Sequence, residues 1–144
     1  MNKKKIIITG GDGRFAKVLK NTKLKLNLVF PTKDQLNITK ISSIQKYIKK
    51  HRPKYLIHCA ALSRPMDIHN KSISKSITIN IIGTCNLVKI CEKYKIKLIY
   101  FSTSYVYPGT KGNYSEKSNL KPINNYAWSK LGGECAVHMY KKSL

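Results

Sequence analysis

The sequence predicts an α/β fold in which helices cover both faces of a doubly wound parallel sheet, giving three layers in the order αβα. Short apolar runs alternate with longer amphipathic segments along the chain, which is typical of βαβ units. A glycine cluster follows the first apolar run, as in a tight strand-to-helix turn. The 144 residues suit one domain, and no apolar stretch approaches the roughly 18 residues of a membrane span.

Each predicted strand is a short β-rich run that ends at glycine, proline or polar residues. The predicted strands are residues 5–9, 26–30, 35–38, 55–60 and 97–102. Apolar residues at helical spacing predict helices over residues 15–20, 42–51, 72–94 and 126–141, and a loop over 110–125. Because right-handed crossovers bring the carboxyl ends of parallel strands to one edge, the residues after the strands should converge on one crevice.

The formal net charge of +22 raises the question of a nucleic-acid partner. Only Arg14, Arg52 and Arg64 are arginine, the residue preferred for bidentate contacts with phosphate and bases. The lysines are spread along a chain that is also rich in Ile and Asn, which indicates compositional bias. We therefore expect attraction of small anionic ligands, and nucleic acid is the weaker alternative.

The cysteines show no C-x-x-C pairing, and most lie in apolar or helical patterns. They are Cys59, Cys85, Cys91 and Cys135. We interpret them as reduced, mostly buried thiols of a cytoplasmic protein, and we expect no metal site. The basic N-terminus does not contradict this, because the apolar run after it breaks at Thr9 and is too short for a secretory signal.

The glycine-rich segment 9–16 predicts a phosphate-binding turn of the Rossmann type. Gly10 and Gly13 permit the turn and a close backbone approach to a pyrophosphate. Arg14 and Phe15 open the following helix, whose free N–H groups and dipole favour an anion. Ala16 stands where a third glycine is usual, and a plain tight turn is the alternative interpretation.

Two further segments carry groups suited to proton transfer. Tyr126 and Lys130 are four residues apart and share one helix face, so we expect the ammonium to lower the pKa of the phenol. Tyr126 could then exchange a proton with a substrate oxygen, which Thr103 at the end of a strand could hold. For Tyr126 and Lys130, the alternative is a chance Tyr-x-x-x-Lys spacing in a lysine-rich helix. For the Thr103 segment, it is a plain polar turn after a strand.

In their order along the chain, the glycine-rich segment, the Thr103 segment and the Tyr126–Lys130 pair together resemble the extended short-chain dehydrogenase/reductases, the NAD-dependent epimerase/dehydratase family. The resemblance covers about residues 5–135 and includes segments 58–61, 78–84 and 126–134. Segment 102–112 is most similar to the dTDP-4-dehydrorhamnose reductase subgroup. Ser104 and Tyr105 stand where the dehydratases of the family carry an Asp-Glu pair, so dehydratase activity is not expected.

The resemblance implies a catalytic set in which Thr103 anchors a carbonyl, Tyr126 is the general acid, and Lys130 tunes that acid and binds the cofactor ribose. The implied contacts with NAD or NADP come from Gly10, Gly13, Arg14, Phe15, Lys33, Asn37, Ile38, Cys59, Ala60, Ala61, Asn80, Ser102, Tyr126 and Lys130. Segment 31–33 lacks an acid for the ribose hydroxyls, and Lys33 could accept a 2′-phosphate, which favours NADP.

The implied activity is NAD(P)-dependent reduction of a 4-keto-6-deoxy nucleotide-sugar, with two alternatives. A nucleotide-sugar 4-epimerase would use the same residues, and a cofactor-binding regulatory subunit would use none of them for chemistry. Family members are roughly twice as long, so we expect residues 1–144 to be a truncated NAD(P)-binding domain without C-terminal strands or a substrate domain. An uncovered sheet edge would make the chain weakly stable, oligomeric or dependent on a complementing C-terminal chain.

Overall fold

A computed structural model describes residues 4–144 and contains a four-stranded parallel sheet. Its strands are β1 (Lys5–Thr9), β2 (Asn27–Val29), β3 (Tyr55–His58) and β4 (Lys97–Tyr100), in the order β2-β1-β3-β4. The chain moves one way across the sheet from β1 to β2 and the other way from β2 onwards. Right-handed crossovers therefore place the helix after β1 on one face and the later helices on the opposite face. The predicted doubly wound sheet is confirmed.

The helices cover nearly all the segments predicted for them. They are α1 (Arg14–Asn21), α2 (Ile41–His51), α3 (Ile68–Lys71), α4 (Ile73–Ser76), α5 (Gly83–Lys93) and α6 (Asn125–His138). A π-helical segment, Ile77–Ile82, joins α4 to α5, so the predicted helix 72–94 is one stretch with a widened turn. The short α3 and the 3₁₀ turn Ser104–Val106 were not predicted.

The core lies between the sheet and the layer formed by α2, α5 and α6. Ile7, Leu56 and Leu98 are neighbours in the sheet register and are fully buried on this face. The helices contribute Ile44 and Ile48 from α2, Leu87, Ile90 and Cys91 from α5, and Val137 from α6. Each fully buried aliphatic side chain contributes about 1.5–3 kcal/mol, so the core holds the strand ends in fixed positions.

Residues 35–38 do not form the predicted strand. Leu36 and Ile38 are buried, which explains the alternating pattern that suggested one. The side-chain oxygen of Asn37, however, accepts hydrogen bonds from the backbone N–H of Thr39 at 3.0 Å and from its hydroxyl at 2.8 Å. This local turn replaces sheet pairing, because an Asn side chain can satisfy nearby backbone groups itself.

The last residues of the chain pair with β4. Leu144 N–H donates to the Leu98 carbonyl at 2.9 Å, and Tyr100 N–H donates to the Leu144 carbonyl at 2.8 Å. Helix α6 therefore ends at His138, before the predicted residue 141, and the chain returns as a parallel bridge. The expectation that the edge of β4 is uncovered was wrong, because segment 142–144 occupies it.

The acids are distributed unevenly between the two edges of the sheet, whereas exposed cations occur at both. Exposed cations gather where helices end and strands begin, at Lys23, Lys25, Arg52, Lys54, Lys95, Lys97, Lys141 and Lys142. Four of the six acids follow strands at the opposite edge: Asp12, Asp34, Asp67 and Glu116. A cation beside a helix C-terminus stabilises the helix dipole by about 0.3–1 kcal/mol, and every crossover helix of a parallel sheet ends at the amino edge.

The four cysteines are free, as predicted, but they differ in exposure. Cys91 is buried in the core, whereas Cys135 is exposed on α6, so the expectation of mostly buried thiols was wrong for Cys135. Among residues 4–144, no helix has both the length and the apolar character needed to cross a bilayer. The same residues contain no cluster of three or more side chains that could ligate a metal.

Gly11 fits against the segment that leaves β2. Its N–H donates to the Pro31 carbonyl at 3.1 Å, and a Cβ on Gly11 would lie 2.5 Å from that oxygen and 2.7 Å from the Phe30 carbonyl oxygen. Because backbone must move to admit a methyl group, we expect Gly11→Ala to destabilise the chain by about 1–3 kcal/mol in urea unfolding. Gly112→Ala is the matched control, since a Cβ there meets nothing within 4 Å. Equal losses in both variants would contradict this account.

Candidate active site

A cavity of about 650 Å³ opens at the carboxyl edge of the sheet, beside the ends of β1, β2 and β3. Ten residues predicted to bind a cofactor line it together: Gly10, Gly13, Arg14, Phe15, Lys33, Asn37, Ile38, Cys59, Ala60 and Ala61. The strand order reverses between β1 and β3, which is where open α/β sheets bind ligands. The volume is within the usual range for small-molecule sites.

The glycine turn brings backbone close to the wall of this cavity. Gly10 has a φ of +75°, and a Cβ there would lie 3.0 Å from the backbone of Ala60. Gly13 is the N-cap of α1 and provides no side-chain cap. The first N–H groups of α1 and the positive end of its dipole are therefore available to an anion in the cavity.

A buried hydrogen-bond network holds the exit of β3, which forms the cavity wall. Thr84 Oγ1 donates to the Asn80 carbonyl at 2.7 Å, so we infer that it accepts from His58 Nε2 at 3.0 Å. Thr9 Oγ1 then donates to His58 Nδ1 at 2.9 Å and accepts from the Ala60 N–H at 3.1 Å. This arrangement requires the neutral His58 tautomer that carries its proton on Nε2. It links β1, β3 and α5.

His58 is fully buried, and burial, together with the charge of Lys130, lowers its pKa to about 3. The imidazole is therefore neutral at physiological pH and serves as a structural link. In the sequence, His58 stands out only as the first residue of segment 58–61. A polar residue that closes the apolar run 55–58 was the available signal, because a buried polar group needs partners.

Asn80 joins the cavity wall to α6. Its side-chain oxygen accepts from the Leu62 N–H at 2.8 Å, and its Nδ2 donates to the Leu62 carbonyl at 2.9 Å and to Ser129 Oγ at 2.8 Å. Ser129 Oγ in turn donates to the Tyr126 carbonyl at 2.7 Å. Asn80 does not line the cavity itself, so its position is that of a support between the wall and Tyr126.

Tyr126 lies between two other rings at the start of α6. Its ring centroid is 5.1 Å from that of His69 and 6.2 Å from that of Tyr105. Burial raises the pKa of the Tyr126 phenol, a hydrogen bond with the Thr103 side chain lowers it, Tyr105 raises it and Arg64 lowers it. Thr103 and Tyr126 are therefore brought together, as the sequence predicts.

Lys130 is almost completely buried beneath this site. Its Nζ donates to the Phe101 carbonyl at 2.6 Å and lies 4.0 Å from the centroid of the Tyr100 ring. Burial lowers the pKa of Lys130 to about 8, although Glu134 and Cys59 oppose the decrease. The prediction that Lys130 lowers the pKa of Tyr126 was wrong for the chain's own groups. The net shift of that phenol is upward, and the cation that lowers its pKa is Arg64.

The glycine turn and the exit of β4 meet at the same edge. The rings of Phe15, at the start of α1, and Phe101, after β4, are 4.8 Å apart. Ser102 follows Phe101 and donates its hydroxyl hydrogen to Glu134, a contact that the sequence analysis did not predict. The predicted residues outside the cavity lining are Asn80, Ser102, Thr103, Tyr126 and Lys130, which form the adjoining network.

Several residues of the cavity were not among the predicted cofactor contacts. They are Asp12, Ala16, Leu36, Thr39, Leu62, Ser63, Arg64 and Ile79. Leu36 and Thr39 flank the predicted contacts Asn37 and Ile38, in a segment that resembles the family's stretch near the adenine. Arg64 follows β3 in a turn without a recognisable motif, and only its proximity in space connects it with Tyr126.

A family model described as the RmlD substrate binding domain matches residues 4–144. The dTDP-4-keto-6-deoxy-D-glucose reductase of Streptomyces niveus is 32% identical over 134 residues, covering 91% of this chain and 46% of that protein. Methionine adenosyltransferase 2 subunit beta of Xenopus laevis is 36% identical over 107 residues, covering 74% of this chain and 32% of that protein.

Solved structures show the same likeness. The dTDP-4-dehydrorhamnose reductase of Bacillus anthracis, in complex with NADP, has a TM-score of 0.92 and 34% identity, covering 99% of this chain and 52% of that one. This chain thus spans about half of that structure and of the Streptomyces relative, and about a third of the Xenopus relative.

Proposed function

Because the chain belongs to the RmlD substrate-binding domain family, we propose that it is the cofactor-binding part of a nucleotide-sugar reductase. The reaction is reduction of the C4 ketone of a 4-keto-6-deoxy nucleotide-sugar by NADPH or NADH. The observation that carries the proposal is the cavity lined by the glycine turn, which adjoins the network that contains Tyr126, with Thr103 near enough to that phenol to lower its pKa. Two relatives with reductase names support the substrate class.

The nicotinamide ring, when bound, supplies the hydride that reduces the ketone carbon. Tyr126 gives its phenol proton to the oxygen that becomes the alcohol, and Thr103 holds that oxygen in place by a hydrogen bond. The raised pKa of Tyr126 keeps the phenol protonated, which suits a general acid. Lys130 donates a hydrogen bond to the Phe101 carbonyl beside the site, and it is the candidate ligand of the cofactor ribose.

The cavity lining fits a dinucleotide. The N-terminus of α1 and Arg14 offer donors and positive charge for the pyrophosphate. Ile38 and the segment 59–61 provide apolar walls of the kind that pack against flat rings. Lys33 is exposed at the rim and is the candidate partner of a 2′-phosphate, so NADP is the preferred cofactor and NAD the alternative.

Lys33→Glu is expected to weaken NADPH binding by about 10–100-fold, because it removes a charge-assisted hydrogen bond worth about 1.5–3 kcal/mol. Binding of NADH should change much less, since NADH lacks the phosphate. Fluorescence titration of both cofactors measures the two dissociation constants. Lys40→Glu makes the same charge change just outside the cavity lining. A uniform loss for both cofactors, or the same loss in Lys40→Glu, would refute the assignment of Lys33.

The proposed reaction can be tested by following NADPH absorbance with a panel of 4-keto-6-deoxy nucleotide-sugars. A reductase consumes one NADPH for each ketone reduced, whereas a 4-epimerase changes the sugar without net consumption of cofactor. Product analysis by mass spectrometry distinguishes these outcomes. NADPH binding without turnover of any substrate, once the nucleotide-sugar pocket is completed, would contradict the reductase proposal.

The second candidate function is a non-catalytic cofactor-binding subunit. It is favoured by the 36% identity with a protein named as a subunit of methionine adenosyltransferase. The joint presence of Thr103, Tyr126 and Lys130 favours chemistry instead. Cofactor binding without turnover is the result that supports the subunit role.

The remaining proposals concern location and assembly. We propose a cytoplasmic location, which suits the free cysteines. We also propose residues 1–144 as an NAD(P)-binding domain whose nucleotide-sugar pocket is completed by a second copy, by a complementing C-terminal chain or by further sequence. A well-folded monomer in size-exclusion chromatography would count against oligomerisation.

A further inference from the structure

Two charged residues of α6 hold two consecutive residues of the segment after β4. Lys130 and Glu134 are one helical turn apart and project from the same face. Lys130 Nζ donates to the Phe101 carbonyl at 2.6 Å, and Glu134 accepts a hydrogen bond from the Ser102 hydroxyl. We call these two contacts the α6 clamp.

The α6 clamp acts on a segment whose other side-chain support is the packing of the Phe101 ring against that of Phe15, with centroids 4.8 Å apart. Phe101 and Ser102 are exposed, and the sheet ladder of β4 has already ended at Tyr100. One further backbone bond holds the segment, from the Phe101 N–H to the His58 carbonyl at 3.2 Å. The next residue is Thr103, whose Oγ1 accepts from the Tyr105 N–H at 3.3 Å, and the Tyr105 ring centroid is 6.2 Å from that of Tyr126. Movement of the segment therefore changes the distance between the proposed catalytic groups.

We propose that Glu134 is a positioning residue: with Lys130 it fixes the segment 101–102, and thereby keeps Thr103 against Tyr126. The effect of Glu134 on catalysis rests on the proposed function, whereas the two hydrogen bonds of the α6 clamp do not depend on it. Glu134 touches neither the cavity nor the phenol, so it acts through Ser102 and Lys130.

Glu134 is also the charge that stabilises the buried ammonium. The groups facing Lys130 are Glu134 on α6, His58 and Cys59 at the exit of β3, and Tyr100 on β4. Burial raises the pKa of Cys59 to about 11 and raises that of Tyr100, and it lowers that of His58 to about 3. These three are neutral near pH 7, so Glu134 supplies the negative charge opposite Lys130.

The decisive variant is Glu134→Gln, which keeps an acceptor for Ser102 but removes the charge. We expect the pKa of Lys130, followed by NMR of its labelled side chain in the full chain, to fall below its value in the unmodified chain. Glu134→Ala removes the acceptor as well, so backbone amide exchange at residues 102–103 should also become faster. Glu116→Gln, at an exposed acid in the loop after β4, should change neither measurement.

Ser102→Ala covers the case in which a variant at 134 does not fold. It deletes only the hydroxyl contact of an exposed residue, and we expect faster exchange at Thr103 with little change in the pKa of Lys130. With turnover available, kcat should fall by about tenfold in Glu134→Ala while KM stays similar, since substrate contacts are not removed.

Unchanged titration of Lys130 in Glu134→Gln, or unchanged exchange at Thr103 in both Glu134→Ala and Ser102→Ala, would overturn the proposal. Failure of the proposed function is a separate result. A chain that neither binds NADPH nor reduces any ketone could still show both NMR effects, and the clamp would then stand as a structural device without catalytic meaning.

Discussion

Tyr126→Phe is expected to lower the rate of ketone reduction by about 10²–10⁴-fold, because it removes the proton donor and leaves the rest of the site in place. The ring still fits between His69 and Tyr105, whose centroids are 5.1 and 6.2 Å away. The affinity for NADPH should be nearly unchanged, since the hydroxyl does not line the cavity. Turnover followed by NADPH absorbance and cofactor binding followed by fluorescence measure the two effects.

Tyr114→Phe is the matched control for that experiment. Tyr114 also carries a phenol with a local hydrogen bond, from the Lys111 N–H at 2.9 Å, but it lies in the loop between β4 and α6. It should keep the rate of the unmodified chain. A Tyr126→Phe variant that retains most of the activity would remove Tyr126 from the mechanism. A parallel loss of NADPH binding would indicate damage to the fold instead.

The second large effect expected is a loss of stability in mild acid, caused by His58. Its pKa is about 3 in the folded chain, against 6.5 for an ordinary histidine. Below pH 6.5 the unfolded chain therefore binds a proton that the folded chain excludes. The free energy of unfolding should fall by up to about 1.4 kcal/mol per pH unit, or about 2.3 kcal/mol between pH 6.5 and pH 4.5. Urea unfolding at several pH values measures this slope.

Comparison with His58→Gln isolates the contribution of His58 from that of other titrating groups. Burial also lowers the pKa of His69, and carboxyl groups titrate at the acid end of the range. The variant should be less stable at pH 7, because it loses the paired bonds to Thr9 and Thr84, but its stability should depend less on pH. His138→Gln, at an exposed residue, should keep the slope of the unmodified chain. Equal slopes in all three proteins would show that His58 is not the titrating group.

Much of the fold could be predicted from the sequence because its signals are local. Strand β1 and the glycine turn can be recognised from neighbouring residues, and the Tyr126 to Lys130 spacing indicates a shared helix face. The segment around Asn37 was mispredicted for the same reason, since its apolar alternation matches a strand. The deciding factor was the hydrogen bonding of the Asn37 side chain with Thr39, which hydrophobic periodicity does not reveal.

Sequence patterns singled out Thr103, Tyr126 and Lys130, which lie at one edge of the fold, but they did not give the electrostatics of that edge. The contact of Lys130 with Phe101 joins residues 29 positions apart, and that of Ser102 with Glu134 joins residues 32 apart. The direction of a pKa shift depends on burial and on such contacts, so the spacing of Tyr126 and Lys130 alone gave the wrong direction.

The lysine-rich amino edge of the sheet affects how the high net charge can influence ligand binding. A five-residue strand such as β1 is about 16 Å long, roughly two screening lengths at physiological ionic strength. The attraction of that edge is therefore mostly damped before it reaches the cavity. In physiological salt, the preference of a nucleotide for the cavity therefore depends on short-range donors such as the N-terminus of α1 and Arg14.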